Sequence, residues 1–175
     1  MTDSTIRQSW AAAFARQARS DWELHHRLAT AGEADCHALH YLQMACEKIA
    51  KAYRIRDLTV DVDELTQHHI GFESFVSAFL LSPAFKEEYK HKSAQFRRTK
   101  TEMRRLAREV ECLSPAVRRE QRPDNSEYPW AAGTVVVAPC DYGFPNLSLL
   151  TTSTGRAFLK LVRRAMDEFE DVHIR

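Results

Sequence analysis

The sequence predicts an all-α protein, an antiparallel bundle of about five helices with a small proline-rich, hairpin-like extension before the last helix. Three observations carry that prediction. Helix breakers are scarce, with Gly 5 and Pro 6 in 175 residues. Long uninterrupted stretches place apolar residues at intervals of three and four, the period of one helix face. Five of the six prolines gather between Pro115 and Pro145, so the irregular chain is confined to one place. The length suits a single domain over 1–175 that buries a core without staples. The scarcity of glycine speaks against a sandwich with its many turns.

The first helix is read from Thr5 to about Thr30, where Trp10, Phe14, Trp22 and Leu24 mix with alanine and charge and Gly32 ends the run. A second helix runs from about Glu33 to Tyr53, with Leu39, Leu42, Cys46, Ile49 and Tyr53 on one face. A connector leads to a third helix over about Glu64 to Leu81, with Asp61 and Glu64 spaced as a capping pair. Ser82-Pro83 then reads as an N-cap followed by proline at the first helical position. No breaker interrupts the helix it opens before Ser114-Pro115, so that helix is expected to reach Leu113. The segment 114–152 is the proline-rich extended insertion, and TVVVA at 134–138 is its best strand. Ser153-Thr154-Gly155 leads into a last helix.

Net charge is +1, so nucleic-acid binding would need a local patch rather than the field of the whole protein. No apolar run approaches the length of a membrane span, and no membrane role is expected. The N-terminal stretch lacks an apolar core of signal-peptide type, and Cys36, Cys46, Cys112 and Cys140 are scattered with no CxxC pair. Free thiols in a cytoplasmic protein are the expectation.

The stretch HYLQMACEKIAKAY at 40–53 resembles the signature helix of the HEPN superfamily, whose usual form is close to QQAAEKALKA. Gln43, Ala45, Glu47, Lys48, Lys51 and Ala52 match it residue for residue. Asp21 in ARSDW lies upstream as in that pattern, and His69 with Phe72 approximates the element that opens the third helix. The resemblance covers roughly residues 15–113. Beyond it, Asn125 to Arg163 is similar to an extension in an uncharacterised bacterial branch of such proteins.

The resemblance implies an all-α bundle, a homodimer, and a place in a bacterial defence or toxin–antitoxin-like system, with RNA, a nucleotide or a protein of the same system as partner. No cofactor is expected. Many members are metal-independent ribonucleases through an R-x4-6-H motif on a late helix. Here that spacing occurs only as Arg19 to His25 and Arg19 to His26, both on the first helix. A non-catalytic binding module is therefore the expected function. The alternatives are a divergent ribonuclease using Arg19 with His25 or His26, and a pure protein-interaction scaffold.

Read from the residues themselves, two surfaces suit phosphate. Lys48 and Lys51, three apart on the second helix, suit one phosphate if both reach the same site, although Glu47 is also spaced to pair with Lys51. On the fourth helix, Lys86, Lys90, Arg97, Arg104 and Arg108 fall within roughly 40° of one another, flanked by Arg98 and Arg105. As one helix this stripe would run about 33 Å and could track a nucleic-acid backbone. Its glutamates, Glu87, Glu88, Glu102 and Glu109, would offset part of that charge. Tyr128 and Trp130 on the NSEYPW loop could stack on a base or partner, or plug the bundle. Cys36, His37 and His40 do not complete a recognised zinc spacing with His25, His26, His68 or His69, so no metal is expected.

Overall fold

The computed structural model describes residues 4–56, 61, 62, 65 and 71–171, and it is a mostly α-helical bundle with one small hairpin before the last helix. The first two helices are α1, Ser4–Ala31, and α2, Asp35–Ile55, joined by a tight turn at Gly32–Ala34 and packed along each other. Small residues make that approach close, since α1 turns Ala11, Ala15 and Ala18 inward, with Trp22 and His25 one and two turns on. α2 is the central helix. It buries Leu42, Ala45, Cys46, Ile49, Ala52 and Ile55 almost completely, and packs against elements on several sides. A helix apolar on so much of its circumference belongs inside a bundle.

Residues 64 and 66–70 of the expected third helix, with His68 and His69, lie outside the described residues. The second part of that helix is α3, Phe72–Phe79. Both Gly71 and Phe72 donate their backbone N–H to Oε1 of the buried Glu111, the Phe72 bond at 2.9 Å. A carboxylate brought from another helix thus satisfies donors that the first turn leaves open. Phe75, Phe79 and Phe85 continue into an aromatic file that starts at Tyr53, with successive ring centroids 5.0 to 5.5 Å apart.

The long fourth helix is two. Pro83 opens α4, Pro83–Glu88, with Ser82 in the cap position but making no side-chain cap bond. The chain then leaves helical geometry at Tyr89 (φ −110°, ψ 14°) and re-enters at α5, Ser93–Glu111. Tertiary contacts account for the break. Arg164 of the last helix binds Glu88 and lies 4.2 Å over the Phe85 ring, which holds the short α4 against the bundle. Lys86 and Lys90 therefore leave the basic stripe, and its expected length shrinks to the part on α5.

In the insertion, Asn125 is fully buried and uses both ends of its amide. Its Nδ2 donates to the carbonyls of Pro123 and Tyr128, and its Oδ1 accepts from the N–H groups of Glu127 and Tyr128. The strands β1, Trp130–Ala132, and β2, Val135–Val137, pair antiparallel with Trp130 opposite Val137, turning at Gly133 (φ +64°). Two 3-10 turns lead to α6, Ser153–Asp171, which buries Phe158, Leu161, Val162, Ala165, Met166 and Phe169. One apolar cluster draws on every helix from α1 to α6.

Candidate functional site

The residues matching the signature helix lie at the seam between α1 and α2. Lys48 Nζ stands 2.5 Å from Asp21 Oδ2, and Gln17 Nε2 donates to the other oxygen of that carboxylate at 3.0 Å. One turn along, Lys51 Nζ is 2.7 Å from Glu47 Oε1, while Gln43 Nε2 donates to Glu47 Oε2 at 2.9 Å. Lys51 is buried and also lies 5.9 Å from the Phe14 ring centroid. The two lysines thus belong to two separate ion pairs rather than converging on one opening. Lys48 ties α2 to α1 through Asp21, whereas Lys51 is paired within α2 with Glu47.

On α5, Arg97, Arg104, Arg105 and Arg108 are all solvent-exposed. Arg97, Arg104 and Arg108 share one face over about 16 Å, at 1.5 Å per residue. Glu73 of α3 reaches that face. Its Oε1 accepts from Arg104 Nη2 at 3.0 Å, and its two oxygens accept from Arg108 Nε and Nη2 at 2.9 and 3.2 Å. The hydrogen bond from Arg108, aided by Arg104, holds the Glu73 carboxyl below its ordinary range. One half-sunken carboxylate therefore fixes two guanidiniums side by side, and Nη1 of each makes no hydrogen bond among the described residues. Arg98 is paired with Glu102 at 3.0 Å, whereas Arg97 and Arg105 make no ion pair among the described residues.

The R-x5-H and R-x6-H spacings of the first helix, Arg19 to His25 and Arg19 to His26, divide in space. His25 is buried, its Nδ1 donating to the Ala38 carbonyl at 2.8 Å, and desolvation pushes its pKa down. It serves the α1–α2 packing. Arg19 and His26 instead line one open groove between α1 and α6, with Trp22, Glu23, Arg27 and Arg163. Arg19 is held there by Asp167 at 2.7 Å and by Glu170 at 3.0 and 3.2 Å. His26 meets the Trp22 ring edge-on at 4.6 Å.

Tyr128 and Trp130 point to different places. Trp130 is buried with its ring edge-on to Tyr142 at 5.1 Å, so it packs within the insertion and is withdrawn from docking. Tyr128 is exposed, as are Val135 and Val136 of the hairpin. Three thiols, Cys36, Cys46 and Cys112, are buried, and burial raises the pKa of each. Among the described residues no cluster of His, Cys, Asp and Glu is arranged to hold a metal ion. No helix among them is long and apolar enough to cross a membrane.

Sequence reasoning did not single out Glu73, Arg27 or Arg163. Glu73 is 31 residues from Arg104, and only the packing of α3 on α5 joins them. A signal for Arg163 does exist in GRAFLKLVRRAMDEF, where Arg156, Lys160 and Arg163 recur on the face opposite the apolar residues. No protein-family model, curated protein or solved structure matches the chain.

Proposed function

We propose that the chain is a HEPN-like helical module that binds RNA or a nucleotide without cleaving it, as a homodimeric component of a bacterial defence or toxin–antitoxin-like system. The observation that supports the binding reading is the arginine face of α5. There Glu73 sets Arg104 and Arg108 side by side in line with Arg97, all of them open to solvent. Planar guanidiniums at fixed spacing suit successive phosphates, and pre-positioning lowers the side-chain entropy lost on binding. The family and dimer parts of the reading rest on the signature-helix resemblance.

The test is binding of a fluorescent single-stranded RNA across a salt series. Affinity is expected to fall steeply as salt rises and to drop at least tenfold in Arg97→Glu/Arg104→Glu. Lys48→Met, with a folded-state check, is expected to leave affinity unchanged because that lysine is committed to Asp21. RNA affinity indifferent to the α5 substitutions removes this reading.

A metal-independent ribonuclease is the second reading, favoured by one observation, that Arg19 and His26 line the same groove. It requires RNA cleavage that survives EDTA and disappears in His26→Ala.

A further inference from the structure

The groove between α1 and α6 is uneven in charge along its length. The helices run antiparallel there, since Arg19 meets Asp167 and Glu170 while His26 and Arg27 lie beside Arg163. Asp167 and Glu170 of α6 are taken by Arg19 at one end, and Glu168 is paired with Arg164. Eight residues on, about 12 Å along α1, Arg27 makes no ion pair among the described residues. Across from it, Arg163 reaches only Asp167, at 3.8 Å, a carboxylate already engaged by Arg19 at 2.7 Å. Glu23 is four residues before Arg27, a spacing at which helical pairs form, yet the two are not bonded. Beyond Arg163, Lys160 and Arg156 lie exposed on the same face of α6 and extend the basic end.

The open space is of ligand size, about 460 Å³, and an adjoining hollow of about 410 Å³ continues it past His26 and Arg27 to Thr30 and Ala31. Its donors come from two helices that line the same space. Trp22 orients the His26 ring edge-on, and neither ring nitrogen of His26 has a partner among the described residues. Two guanidinium forks and one imidazole offer donors for the three terminal oxygens of a phosphate monoester, and a dianion gains more from them than a diester monoanion does.

We propose that this groove is a binding site for a phosphate monoester, held between Arg27 and Arg163 with His26 as the third donor. The inference does not rest on the α5 reading, and the variants keep the two apart. In calorimetric titration of the full chain, methyl phosphate is expected to bind saturably and more tightly than dimethyl phosphate. Arg27→Ala/Arg163→Ala should weaken it at least tenfold, Glu23→Gln should tighten it, and Arg97→Glu/Arg104→Glu should leave it unmoved. All these side chains are at the surface, and circular dichroism checks that each variant is folded. No saturable binding, equal affinity for the diester, or an undiminished signal in the double arginine variant overturns the proposal.

Discussion

Lys48 Nζ lies 2.5 Å from Asp21 Oδ2, and this ion pair joins α1 to α2 across a seam where the carboxylate is only 7% exposed. Gln17 donates to the second oxygen, so the charge is bonded on both sides. Such a pair is worth little against an apolar replacement, but removing one partner strands the other in low dielectric. Asp21→Asn or Lys48→Met is expected to cost about 3 kcal/mol in urea denaturation. Asp21→Leu/Lys48→Met should recover much of that loss. If Lys48→Met instead leaves stability intact and abolishes RNA binding, the lysine serves a ligand.

Glu73 is both the positioner and the competitor of the α5 arginines. Its two oxygens take donors that a phosphate would otherwise receive. Neutralising it in Glu73→Gln removes one negative charge from the face while leaving an amide oxygen to accept from Arg108. RNA affinity at low salt is expected to rise by roughly threefold to tenfold, with the salt slope steeper by about one ion. A fall in affinity would mean that holding the guanidiniums in place matters more than freeing their charge.

Much of this architecture was legible because its cause is local. The scarcity of breakers before residue 82, Gly32 at the end of α1, Pro83 at the head of α4 and the VVV run of β2 all act within a few residues. The break at Tyr89–Lys92 was not legible, since Tyr-Lys-His-Lys contains no breaker and the helix ends where Arg164 grips Glu88, 76 residues away. The same distance problem hid the candidate site. Spacing along α5 shows which arginines share a face, but not that Glu73 neutralises part of that face. In the signature helix, spacing did show the Glu47–Lys51 pair, whereas the partner of Lys48 lies on another helix.

Gly155 shows how a residue that reads as turn chemistry can be required by packing. It sits in the first turn of α6, and a Cβ built there would lie 2.3 Å from the Leu149 carbonyl oxygen and from Leu150 backbone atoms. Backbone cannot rotate away as a side chain can, so the 3-10 segment and α6 would have to part. Gly155→Ala is expected to cost about 3 kcal/mol or more despite the better helix propensity of alanine. Thermal denaturation checks this, and a neutral or stabilising result would show that the two segments separate easily.

His25 makes stability depend on pH in a definite direction. Its ring is buried against the α1–α2 turn, and desolvation depresses its pKa despite the opposing hydrogen bond to the Ala38 carbonyl. In the unfolded chain the same ring titrates near its ordinary value, about 6.5. Between the depressed and the ordinary value the unfolded state binds the extra proton, so stability falls as pH falls through that window. The contribution is fully present above about pH 6.5 and is lost progressively below it. His25→Phe removes the titrating group along with its hydrogen bond, at a cost of about 1 kcal/mol at neutral pH. Denaturation midpoints measured from neutral to mildly acidic pH should therefore fall less steeply in this variant than in the parent chain. Equal slopes would place the acid sensitivity elsewhere, for instance in the Glu73 carboxylate. Its depressed pKa makes the arginine contacts weaken at lower pH, as that carboxylate takes up its proton.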